Sequence, residues 1–145
     1  MSGPDRVEMK VDGLAELDRK LRALGPDIAR KGLRSAVGAG ARVILNQAKA
    51  RAPVDTGTLR RALYMKPIRE ESSDSRQTYF VGVRSGKKEQ KKNRDAWYWR
   101  LVEFGTEKMA ASPFLRPAFE AGKFQALERI KAKLAERIQK FTQAH

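Results

Sequence analysis

At 145 residues the chain fits one domain, 1–145, large enough for a hydrophobic core. It contains no cysteine, which excludes disulfides, thiolate metal sites and cysteine nucleophiles, and its only histidine is the last residue, His145, so a buried histidine base or a histidine metal cluster has no candidate. The formal net charge of +14 attracts polyanions or acidic protein surfaces from a distance and does not choose between them.

Val7, Met9 and Val11 alternate with Glu8, Lys10 and Asp12, the pattern of a short half-buried strand. Leu14, Leu17, Leu21 and Leu24 fall at helical spacing until Gly25-Pro26 stops them. Asp27 is then read as the cap of a second helix running towards Arg51, with Ile28, Leu33, Val37, Ala41, Ile44, Leu45 and Ala48 as its apolar stripe. The small residues Gly38 to Ala41 weaken that helix but permit close packing on a sheet; a hinge is the alternative reading.

The stretch Ala52 to Arg60 reads as a corner. Pro53 ends the helix before it, and Asp55, Thr56 and Thr58 offer side-chain oxygens to backbone N–H groups. Gly57 permits a backbone angle that other residues resist, and Leu59 is the first apolar anchor beyond it. Leu63, Met65 and Ile68 predict one strand, and Tyr79, Val81 and Val83, alternating with Phe80, Gly82 and Arg84, predict another, paired antiparallel across the polar connection Glu70 to Ser75.

Lys87, Lys88, Lys91, Lys92 and Arg94 crowd a segment with too few apolar residues to fold alone, so residues at about 85–95 are expected to form a flexible basic loop, either a solvated tip or an arm that meets DNA phosphates or an acidic partner. Trp97 to Phe104 is the richest aromatic segment and is expected to return to the core as a strand or short helix, with Gly105-Thr106 as its turn. A base-stacking platform is the less favoured reading, because no dedicated sheet signature accompanies these aromatics. Pro113 and Pro117 bracket Phe114, Leu115 and Arg116, and from about Ala118 a last helix carries Phe119, Leu127, Ile130, Leu134, Ile138 and Phe141 on one face. Its distal end is expected to be covered by another subunit.

The tripeptide Asp55-Thr56-Gly57 is also the aspartic-protease signature, but there it follows an apolar strand, whereas here a basic helix and Pro53 precede it. Glu103 is read as a salt-bridge or turn residue with Arg60 or Arg116 as its partner, not as a second catalytic carboxylate. No catalytic group, cofactor site or metal site is assigned. The chain begins Met1-Ser2-Gly3-Pro4-Asp5, without the basic-then-apolar pattern of a signal peptide, and has no apolar run long enough to span a membrane, so cytoplasmic synthesis and no membrane partner are expected.

Three segments in order, A-P-V-D-T-G-T-L-R at 52–60, W-R-L-V-E-F-G-T at 99–106 and P-F-L-R-P-A at 113–118, make the chain resemble the HK97 gp10-like family of tailed-phage neck and tail-completion proteins. The resemblance extends more loosely over most of the chain. It implies a structural virion protein assembled in the bacterial cytoplasm. Self-association into a ring at the head–tail junction would join a connector, adaptor or stopper to a tail terminator or tail tube, with genomic DNA passing through. A stand-alone basic nucleic-acid-binding protein is the alternative. The expected fold is α+β, with a small, mostly antiparallel sheet packed by a long helix from the N-terminal half and a long C-terminal helix, and the motif stretches serve as scaffold for the interfaces.

Overall fold

The computed structural model describes residues 7–9, 15–54, 56–73 and 76–144, with backbone alone at 7–9 and 144. The chain is α+β. Its elements are β1 (Val7–Met9), α1 (Ala15–Arg22), α2 (Pro26–Arg51), α3 (Thr58–Ala62), β2 (Leu63–Pro67), a 3-10 turn (Arg69–Glu71), β3 (Tyr79–Val83), α4 (Lys87–Gln90), α5 (Trp99–Phe104) and α6 (Leu115–Ala144). The strands form one antiparallel sheet in the order β1-β3-β2. Val81 of β3 is opposite Val7 on one side and Met65 on the other.

Alternation along the strands sorts the sheet into two faces. Leu63, Met65, Val81 and Val83 point to the core, where α2 lies against β2 and β3 through Ala41, Ile44, Leu45 and Ala48. Tyr64, Lys66, Phe80 and Gly82 occupy the opposite face. The α6 helix runs antiparallel along α2, with Ala118, Ala126, Ile130 and Leu134 buried between them. Small residues permit this approach: a Cβ on Gly40 would lie 2.7 Å from Ile130 Cδ1, and one on Gly38 would lie 2.8 Å from the Tyr79 hydroxyl. The run of small residues is therefore a packing surface against both the sheet and α6.

Several expectations change in detail. Asp27 does not cap α2: the helix begins at Pro26 with Gly25 at the N-cap, and Asp27 instead accepts a hydrogen bond from Arg30 at 3.0 Å. In the distal half of α6, Leu134 is buried and Ile138 partly buried in the cluster that holds Leu21 and Leu17 of α1, while the described residues beyond Ile138 are exposed or half-buried. The helix begins at Leu115, three residues before the expected start. Asp55, Asp74, Ser75 and His145 lie outside the described residues, and with Asp55 goes its expected capping role.

Candidate assembly surface

Glu103 joins two of the motif segments. It sits near the end of α5, is 6% exposed, and its Oε1 accepts the backbone N–H groups of Phe114 and Leu115, both at 2.9 Å. Oε2 accepts the N–H of Arg116 at 3.3 Å. The next residue, Pro117, has no N–H to satisfy, so the first turn of α6 leaves no donor stranded. This differs from the expected ion pair. The partners of Glu103 are main-chain amides at a helix N-terminus, where the aligned peptide dipoles favour a negative charge. Arg60 instead donates to the Lys49 carbonyl at 3.1 Å, and Arg116 contributes its backbone while its side chain is exposed.

Between α5 and α6 the chain makes a tight return. Gly105 ends α5 with φ 75° and ψ 176°, and a Cβ there would lie 2.8 Å from the backbone nitrogen of Ala111 and 3.0 Å from the Met109 carbonyl oxygen. Thr106 Oγ1 accepts the N–H groups of Met109 at 3.0 Å and Lys108 at 3.3 Å, and Ser112 N–H reaches the Val102 carbonyl at 2.8 Å. Pro113 is exposed, and Phe114 behind it is fully buried.

The corner packs against α5 from the other side. Gly57, at φ 82° and ψ 0°, precedes the first residue of α3, and Leu59 is buried. Thr56 Oγ1 lies 2.8 Å from Thr58 Oγ1, and Arg61 donates to the Thr56 carbonyl at 3.3 Å. Pro53, Thr56, Leu59, Tyr98 and Val102 line a recess of about 230 Å³ between the corner and α5. All three motif segments thus meet around α5.

The basic segment carries more local structure than its composition predicts. It holds the one-turn helix α4, and its own acids organise it: Asp95 Oδ1 accepts the Gly86 N–H at 2.6 Å, and Glu89 accepts Arg94 Nε at 2.5 Å. Arg61 Nε reaches the Asn93 carbonyl at 2.9 Å and ties the segment to α3. Arg94 is half-buried and held by Glu89, whereas Lys87, Lys88, Lys91 and Lys92 are exposed and take part in no ion pair among the described residues.

The aromatic segment is only half in the core. Trp99 is buried, but Trp97 is 69% exposed, Phe104 51% and Leu101 42%. Leu101 and Phe104 lie one turn apart on α5, with Trp97 just before the helix, so an apolar ridge faces outward from the element that Glu103 anchors. Composition supplied no signal for this, because a ridge that waits for a partner has the same residues as one that fills a core.

No metal-binding cluster of histidine, cysteine or carboxylate residues occurs among the described residues, and no helix among them is long and apolar enough to cross a membrane. No curated protein and no solved structure matches the chain significantly. A family model described as "Bacteriophage HK97-gp10, putative tail-component" matches residues 15–105, from the start of α1 to the glycine that ends α5. That span is more than half of the 145 residues and includes the corner, the sheet strands β2 and β3, and the apolar ridge. The chain belongs to the HK97-gp10-like family of phage tail components.

Proposed function

We propose that this protein is a structural, non-enzymatic virion component of the head–tail junction, completing the tail or neck as one subunit of a closed ring that joins connector to tail. The observation that carries this reading is the outward ridge of Trp97, Leu101 and Phe104, mounted on a helix whose last turn is pinned to α6. Exposed aromatic and aliphatic side chains on a rigid support are what an assembly contact needs. Contacts of one subunit's patch with a different patch on the next close into a ring when the rotation permits. The ring's two faces then meet an adaptor or stopper on the head side and a tail terminator or tail tube on the other. The whole chain acts as one domain, assembled in the bacterial cytoplasm, and its exposed lysines point to acidic neighbours or to passing DNA.

Cryo-electron microscopy of particles from the phage or prophage that carries the chain tests this directly: ring density between portal and tail tube is expected. The variant Trp97→Ser/Leu101→Ser/Phe104→Ser should fold yet leave heads and tails unjoined. Normal joining by that variant would remove the ridge from the mechanism.

A second reading, a stand-alone nucleic-acid binder, rests on Lys87, Lys88, Lys91 and Lys92, which are exposed and take part in no ion pair among the described residues. It requires affinity for duplex DNA that falls with salt at a log–log slope of about −0.9 per phosphate neutralised.

A further inference from the structure

The segment from Ser85 to Asp95 holds no aliphatic or aromatic residue, yet it is folded. Asp95 closes its base: Oδ1 accepts the Gly86 N–H at 2.6 Å, and Oδ2 accepts Gln90 Nε2 at 3.1 Å. The chain turns back at Asn93, φ 53°, where the N–H groups of Lys92 and Arg94 both donate to the Glu89 carbonyl, at 3.2 and 3.1 Å. The Glu89 carboxylate is held by Arg94 and lies 3.9 Å from Arg84. Both acids and the one arginine of the segment are thus spent internally. What remains exposed is lysine, at positions 87, 88, 91 and 92, with no ion pair to any of them among the described residues.

We propose that this lysine tip is a sliding contact for the phosphate backbone of duplex DNA, one that holds the duplex without reading its sequence. An acidic protein is the poorer occupant. Protein interfaces are depleted in lysine and enriched in arginine and aromatic residues, whereas the tip has no apolar side chain and its arginine is bound to Glu89. A second copy of this chain, with 31 basic residues against 17 acidic ones, fits less well still. Lysine is a compact point charge on a flexible stem, which suits phosphates that shift as the duplex moves. Gln90 and Arg94, two side chains able to read base edges, are held by Asp95 and Glu89. Four lysines neutralise about four phosphates, so one subunit has only a weak, salt-sensitive hold, which several copies in a ring multiply. That arithmetic separates the tip from a stand-alone binder. The multiplication by copies, and the identity of the DNA as the passing genome, rest on the head–tail reading above.

The test measures binding of the full chain to fluorescent duplexes of two unrelated sequences across a range of salt concentrations. The two should bind within about twofold of each other, with affinity falling as salt rises. Lys87→Gln/Lys88→Gln/Lys91→Gln/Lys92→Gln should reduce the log–log salt slope by about 3–4 and weaken binding at low salt by about tenfold or more. A control that removes the same charge from α6, Arg129→Gln/Lys133→Gln/Arg137→Gln/Lys140→Gln, should change the slope by less than about 1. All eight positions are exposed or half-buried, so circular dichroism should show both variants folded. Absence of binding at low salt, an unchanged slope in the lysine variant, or an equal loss in the α6 control would each overturn the proposal. So would a preference of about tenfold between the two sequences, by showing base readout. Tighter lysine-dependent binding of polyglutamate than of duplex would overturn it in favour of an acidic protein. Each such failure leaves the head–tail reading standing, because that is decided by density at the neck.

Discussion

Glu103 Oε1 accepts the backbone N–H of Leu115 at 2.9 Å, so a side chain at the end of one helix serves as the cap of another twelve residues later. The same carboxylate takes the amides of Phe114 and Arg116, and Pro117 completes the turn by having none to offer. The Glu-Phe-Gly-Thr and Pro-Phe-Leu-Arg-Pro segments are thus two halves of one device.

Replacing Glu103 with alanine strands three amides at a buried helix start. The expected loss is about 2–4 kcal/mol of unfolding free energy in urea at neutral pH, with Glu103→Gln falling between it and the wild type. Glu107→Ala, four residues away and exposed, should stay within about 0.5 kcal/mol.

The two corner glycines should respond unequally to alanine. At Gly105 the backbone lies in a region essentially reserved for glycine and the new Cβ meets main-chain atoms, so about 2–4 kcal/mol is expected. At Gly57 the left-handed conformation costs about 1 kcal/mol, and the nearest obstruction is Arg61 Nη1 at 2.9 Å, the end of a flexible side chain. Denaturation midpoints of the two variants would check the order; equal losses would show that the main chain around Gly105 yields to an added Cβ.

Gly40→Ala should destabilise the protein even though alanine is the better helix former, because the added methyl meets Ile130 at 2.7 Å. Combining it with Ile130→Ala should cost less than the sum of the single changes, with a coupling of about 1 kcal/mol in a double-mutant cycle. Strict additivity would show that α2 and α6 do not meet at this pair.

Burial raises the Tyr79 phenol above its ordinary value of 10.0, with nearby Arg34 acting in the opposite direction. The folded state therefore holds this proton more tightly than the unfolded state. Its contribution is complete below about pH 10 and is lost as pH rises towards the folded value. Wild-type stability should fall in that alkaline window more steeply than that of Tyr79→Phe; parallel curves would refute the assignment.

Much of the frame was legible in the sequence because it depends on local periodicity. The stripe of α2, the alternation of β2 and β3, and the apolar face of α6 are each written within a few consecutive turns or residues. The cap on α6 was not legible in that way. Nothing in the residues just before Leu115 announces a helix start, because the capping oxygen comes from Glu103 across a tertiary contact. The exposure of Trp97 and Phe104 was hidden for a related reason: side-chain type reports affinity for an apolar surrounding, not whether this chain or another supplies it. Within the basic segment, charge counting missed that Glu89 and Asp95 act as internal ties.

The seating of α6 on Glu103 also has a mechanical side. A helix of 30 residues is a rod of about 45 Å, and its near end is fastened to the element that carries Phe104. A force on Phe104 is therefore carried through Glu103 into a helix that lies against both α2 and α1. Because α2 lies along that rod and α1 against its far end, a push at the ridge is borne by the packed helices and not by α5 alone.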